Sequence, residues 1–150
     1  ALAGFDLYVP EDFEVIDSSA IVSAKISDGA NLIVSEARET GVDIFTYWKN
    51  RKEALLRTVT NLVEIEVNKT NVKNDTTGEF TTDVKLGNLS PNAVASYEYT
   101  YERDGVTYHV YQMLGWTRAH GYVFTYTAKE ENYAKHLDEV KTMIEKVVFK

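Results

Sequence analysis

Cysteine is absent from the sequence, which also has only two prolines, three histidines and eight scattered glycines. The missing thiols exclude disulfides, thiolate metal sites and a cysteine nucleophile. Glycines that never cluster exclude the phosphate-cradling loops of nucleotide-binding folds. No nucleophile-elbow pattern stands where a serine hydrolase needs one. No apolar run approaches the roughly 18 residues that a membrane span requires. Positive charge is also short: 16 Lys and Arg against 23 Asp and Glu leave a net charge of −7. A general positive field of the kind that holds nucleic acid is therefore not expected.

What remains is ordinary globular material, 44% hydrophobic and 26% charged over 150 residues. That length suits one domain spanning residues 1–150. The unusual component is aromatic, with ten Tyr, six Phe and two Trp. The chain begins Ala1-Leu2-Ala3-Gly4 without an initiator Met, so a signal peptide or lipid anchor would lie outside it.

Periodicity divides the chain into elements. Phe5, Leu7 and Val9 alternate up to Pro10 as a short strand, and Phe13 and Val15 open a second. Residues 19–27 and 30–38 are β-rich around Asp28-Gly29, a hairpin signal. A two-residue turn there would set Ile21 opposite Glu36 and Lys25 opposite Leu32, mixing the faces, so a longer loop or a bulge competes with it. From Asp43 to Leu62 the apolar residues Ile44, Trp48, Leu55, Val59 and Leu62 fall at helical spacing, with Asp43 as the N-cap. Val63, Ile65 and Val67 then alternate with Glu64 and Glu66 turned outward, as a strand. Residues 68–83 are rich in Asn and Thr and read either as a polar hairpin or as a loop. Three glycosylation triplets begin at Asn68, Asn74 and Asn88, a match that such composition produces by chance.

The sharpest signal is Asp104-Gly105, a two-residue turn between long β-rich runs. Pairing Arg103 with Val106 sets Tyr101 opposite Tyr108, Tyr99 opposite Val110, Tyr97 opposite Gln112 and Ala95 opposite Leu114. Tyr97, Tyr99, Tyr101, Tyr108, Val110, Leu114 and Trp116 then share one face, which reads as core packed under a helix, with a sugar- or peptide-binding platform of Tyr97, Tyr99 and Tyr101 as the alternative. A reversal at residues 118–121 leads to a third strand carrying Tyr122, Phe124 and Tyr126. Thr127 and Glu130 have capping-box spacing, and Tyr133, Leu137, Val140, Ile144 and Val147 mark the apolar stripe of a second helix. Val147-Val148-Phe149 closes the chain as a last helical turn or a short edge strand. The order indicates an α+β fold in which an antiparallel sheet is sandwiched by two main helices.

Several of these segments together resemble the PsbP/Mog1/DcrB-like superfamily. They are Tyr8-Val9-Pro10-Glu11-Asp12-Phe13, Ala30-Asn31-Leu32-Ile33-Val34 and the helix that follows. Leu86-Gly87 with Pro91 and Ala93, and the run from Gly121 to Ala128 into the last helix, complete the set. A stand-alone bacterial PsbP-like lipoprotein domain is the nearest member type. The resemblance implies about six antiparallel strands in an α/β/α sandwich, and a mostly non-enzymatic family without a shared catalytic motif. It transfers no functional residue to this chain.

The best candidate for a polar site is the other face of the meander, where Glu98, Thr100, Glu102, His109 and Tyr111 come together. His109 lies opposite Thr100, with Glu98 and Glu102 diagonal to it, a set able to take a divalent cation if a further ligand joins. The competing reading is a half-solvated sheet face on which Glu and Thr keep the strands soluble. His120 in a turn and His136 off the helix stripe read as solvated surface. No catalytic residue and no cofactor are expected. The expected role is a protein-binding or accessory domain of a cell-envelope protein, extracytoplasmic and acidic, with another protein as partner. The alternative is a chaperone or carrier for an apolar helix or small ligand, which would expose an apolar patch or enclose a pocket.

Overall fold

A computed structural model describes residues 5–11, 13–17, 21–37, 44–70, 93–116 and 121–149. Among these described residues nine strands and two helices follow in chain order: β1 (Phe5–Asp6), β2 (Glu14–Asp17), β3 (Ile21–Lys25), β4 (Asn31–Ala37), α1 (Ile44–Leu56), β5 (Thr60–Thr70), β6 (Ala93–Arg103), β7 (Val106–Trp116), β8 (Gly121–Lys129), α2 (Glu130–Glu145) and β9 (Val148–Phe149). Seven strands form one sheet in the order β2-β3-β4-β8-β7-β6-β5, and every pairing in it is antiparallel. β1 and β9 pair separately, also antiparallel, which resolves the chain end as a strand. The α+β class is as expected, with one strand more in the main sheet than the resemblance implied.

The meander has the expected register throughout, from Arg103 opposite Val106 to Ala93 opposite Trp116. Its turn needs Asp104 at φ 53° and Gly105 at φ 78°, the left-handed pair of a tight primed hairpin. The Asp28-Gly29 hairpin is longer than a two-residue turn allows. Residues 27–29 form its loop, closed by Ile26 N–H donating to the Ala30 carbonyl at 2.9 Å. The Ala30 amide also bonds Asp28 Oδ1 at 2.9 Å, and Gly29 takes φ 93°. The extra residue shifts the register by one, so Ala24 stands opposite Leu32 and Val22 opposite Val34. Ala24, Leu32 and Val34 are then buried together.

Three local expectations are corrected. The first helix ends at Leu56, not Leu62, because the chain turns at Arg57 and Thr58 and the strand begins at Thr60. Val59 is buried as part of that turn and strand entry, so its apolar character belongs to the sheet end and not to a helical stripe. Val63 and Ile65 are more than half exposed, although their alternation points inward on paper. The cause is a pair of register shifts in β5, one between Thr60 and Val63, where Asn61 sits at φ 51°, and one between Glu64 and Glu66. Finally, Thr127 makes no capping box. It pairs with Asn31 inside β8, while Lys129 is the N-cap of α2 and provides no side-chain cap bond.

The sheet has a core on each face. On one side α2 lays Tyr133, Val140, Met143 and Ile144 over Ala24, Leu32, Val34, Met113, Phe124 and Tyr126. On the other side Tyr97, Tyr99, Tyr101, Val110, Leu114 and Val123 are buried, with Tyr47 and Leu55 of α1 against them. The tyrosines of that face are therefore core. Burial disfavours the phenolates and pushes the Tyr99 and Tyr101 hydroxyls above their ordinary range. The side chains of Trp48 and Trp116, His120, and most of the Asn/Thr-rich stretch after Thr70 lie outside the described residues.

Candidate functional site

The polar cluster sits where β6, β7 and the first turn of α2 meet. Register places His109 opposite Thr100 on β6 and opposite Ala128 on β8. Two residues beyond Ala128 the chain starts α2 at Glu130, so the strand-to-helix junction delivers that carboxylate to the imidazole. His109 Nδ1 lies 2.9 Å from Glu130 Oε2, and its Nε2 lies 2.6 Å from Glu98 Oε2. The His109 side chain is only 9% exposed, and its ring stacks on Tyr133 with centroids 3.5 Å apart and planes 4° from parallel. Tyr133 stacks in turn with Tyr126, whose hydroxyl donates to the Tyr133 carbonyl at 2.7 Å.

On this face Glu98, Thr100, Glu102 and Tyr111 are half-buried. His109 and Met113 are buried under α2, and the Glu98 and Glu130 side chains are 25% and 52% exposed. Of the five expected residues, Glu98 and His109 are brought into contact. Thr100 stands opposite His109 in register, and the Tyr111 ring receives the Lys141 ammonium at 5.4 Å. Glu102 turns away to the sheet edge and accepts from Asn61 Nδ2 at 2.8 Å. The residues that sequence reasoning missed are Glu130 and Tyr133. Their signal was present, since extending the meander register one strand further brings Ala128, and thus Glu130, to His109.

The electrostatics follow from burial. Desolvation, reinforced by the Glu98 charge, drives the Tyr133 phenol far above its ordinary range. Its hydroxyl and Gln112 Oε1 are buried without a hydrogen-bond partner among the described residues. Gln112 does donate from Nε2 to Thr125 Oγ1 at 3.0 Å. The two carboxylates approach opposite nitrogens of one ring, which suits an imidazole clamp rather than a shared cation. Among the described residues no three His, Asp or Glu side chains form a metal-ligating group.

A second tie joins α2 to the sheet. His136 Nε2 is 2.7 Å from Asp28 Oδ2 in the β3–β4 loop, so His136 is largely buried and not the solvated residue its helical position implied. The Ala30 amide, then His136, hold the Asp28 carboxyl below the usual carboxylate range. On the outer flank of α2, a groove of about 270 Å³ is lined by Tyr8, Pro10, Asp138, Glu139 and Thr142. No helix among the described residues is long and apolar enough to cross a membrane.

No family model matches the sequence, and no curated protein matches it. Solved structures do. A Pseudomonas aeruginosa protein of unknown function, PA94, described as a putative regulator, superposes with a TM-score of 0.58 at 13% identity, covering 99% of both chains. Cyanobacterial PsbP (CyanoP) from Synechocystis sp. PCC 6803 gives a TM-score of 0.58 at 12% identity, over 100% of this chain and 95% of that one. LpqN of Mycobacterium tuberculosis, involved in cell envelope biogenesis, gives 0.56 at 15% identity, over 99% of this chain and 86% of its own. At such identities the likeness concerns the fold. The strand order, the two covering helices and these neighbours together place the chain in the PsbP/Mog1-like fold.

Proposed function

We propose that the protein is a non-enzymatic, protein-binding accessory domain that acts outside the cytoplasm, at the cell envelope. The observation that carries this reading is the distribution of exposed apolar side chains. Both faces of the sheet carry buried cores, yet Leu56 at the end of α1 and Val63 and Ile65 on the outermost strand are each more than half exposed. A strand at the edge of a sheet has backbone donors and acceptors available to a partner, and apolar side chains beside them add affinity. The contacts that hold His109 among the described residues run to two carboxylates and to no hydroxyl or thiol nucleophile, which supports a structural role better than a catalytic one. The fold neighbour involved in cell envelope biogenesis supports the location.

A carrier for an apolar helix is supported less well, because the groove beside α2 holds only about 270 Å³ and Asp138 and Glu139 share its lining with Tyr8 and Pro10. A photo-crosslinking amino acid placed at position 65, and as a control at Lys135 on the exposed side of α2, tests the proposal in cells that produce the full-length protein. A defined adduct from position 65 and none from position 135 is expected. Equal labelling at both positions, or none at either, defeats the reading. Fractionation of the same cells reads the location directly.

A further inference from the structure

Both described histidines join α2 to the rest of the fold, but their hydrogen-bond requirements differ. Carboxylate oxygens only accept, so His109 makes both of its contacts, to Glu98 and Glu130, only when each ring nitrogen carries a proton. His136 makes one contact, from Nε2 to Asp28, and a neutral ring protonated on Nε2 still donates it. The first tie requires the ring charge, whereas the second survives its loss as an ordinary hydrogen bond.

The surroundings of His109 sharpen the point. Glu98 faces it from β6, Tyr111 adjoins it on β7, Tyr126 comes from β8, and Glu130 and Tyr133 come from α2. On β5, Glu66 stands opposite Glu98 in register. Lys141 places its ammonium over the Tyr111 ring at 5.4 Å, and Lys129 precedes Glu130 as the N-cap residue. A protonated His109 thus supplies the positive charge between two carboxylates, and its stacking on Tyr133 at 3.5 Å adds a cation–π contribution.

The geometry points to a proton-gated latch on the first turn of α2, with His109 as the gate and Glu98 and Glu130 as its two catches. When the ring gives one proton to solvent, one nitrogen presents a lone pair to a carboxylate, and that catch lets go. The apolar stripe of Tyr133, Val140, Met143 and Ile144 stays buried, so the helix start loosens while the helix as a whole remains docked. The latch is closed while both ring nitrogens carry protons and open once one has left.

Two measurements on the whole chain test this between about pH 5 and 8. Imidazole ¹⁵N shifts read the protons on His109 directly, and native-state hydrogen exchange reads the amides of residues 134–137, which bond back to first-turn carbonyls. At the acidic end both nitrogens are protonated. Toward the alkaline end, exchange protection of those amides falls about tenfold after correction for intrinsic rates, as loss of one charge-assisted bond implies. The later half of α2, beyond the His136 tie, and strand β7 change much less. Glu130→Gln abolishes the pH response, because an amide partners either protonation state, and its exposed position keeps the fold intact. A neutral His109 at the acidic end, or an unchanged pH response in Glu130→Gln, overturns the latch.

Discussion

Asp28 shows how much one side chain can carry. Its carboxylate caps the Ala30 amide at 2.9 Å, closing the hairpin loop, and binds His136 at 2.7 Å, tying that loop to α2. Both contacts favour the charged form, so the folded protein holds this carboxyl below its unfolded value. A group shifted this way contributes stability above its unfolded pKa and loses it as pH falls through the folded one. The urea midpoint of the wild type should therefore drop between about pH 5 and 3, and Asp28→Asn should flatten that drop while lowering the midpoint at neutral pH. Parallel acid profiles for the two proteins would refute the assignment. Tyr133 provides the opposite case. Its ring stacks on His109 and Tyr126, but its buried hydroxyl has no hydrogen-bond partner among the described residues. Tyr133→Phe keeps the rings and removes an unpaired donor, so equilibrium denaturation should show stabilisation by about 1 kcal/mol. A loss of that size would mean that the hydroxyl is satisfied, for instance by bound water.

At the scale of elements, the two hairpins explain what a sequence discloses and what it conceals. Asp104-Gly105 occupies a two-residue turn that allows one register, and all the facing pairs on β6 and β7 follow from it. Asp28-Gly29 looks alike, yet the loop takes a third residue, with Gly29 in the left-handed region at φ 93°. Only its mixed faces hinted at the difference. Substituting Gly29 isolates the backbone contribution, since an added Cβ meets nothing within 4 Å. Gly29→Ala should cost about 1 kcal/mol through φ alone, measured by urea unfolding. A neutral result would place the loop in another conformation. The end of α1 and the aspect of β5 were hidden for a related reason. Helical spacing through Val59 and Leu62 and strand alternation from Val63 both assume an uninterrupted period, and the irregularities at Asn61 and Glu64 break it. The polar site was half legible. Glu98 and His109 follow from meander register, whereas Glu130 was concealed because its spacing from Thr127 imitates a helix cap that the fold does not use.

For the whole molecule, the consequential feature is one sheet carrying two cores. β7 and β8 contribute to both: Met113, Phe124 and Tyr126 face α2, while Val110, Leu114 and Val123 face the tyrosine side. Neither core can loosen without disturbing strands that the other needs, so unfolding should be a single cooperative event. Leu32 and Leu114 are both 0% exposed and lie on opposite faces. Leu32→Ala and Leu114→Ala should each cost between about 2 and 5 kcal/mol. In both variants the far-ultraviolet and near-ultraviolet circular dichroism transitions should still coincide. If Leu114→Ala instead split the transition, with the tyrosine signal lost first, the α1 side would be a separate unit and the sheet would not couple the cores. The outer strand lies beyond this coupling. Ile65 is 51% exposed at a register irregularity, so Ile65→Lys should change stability by less than about 0.5 kcal/mol. The same substitution should abolish a partner contact made through that edge. Together these outcomes separate what holds the fold from what is left free to bind: a variant that folds like the wild type but no longer crosslinks would locate the function on β5, and one that unfolds would return Ile65 to the core.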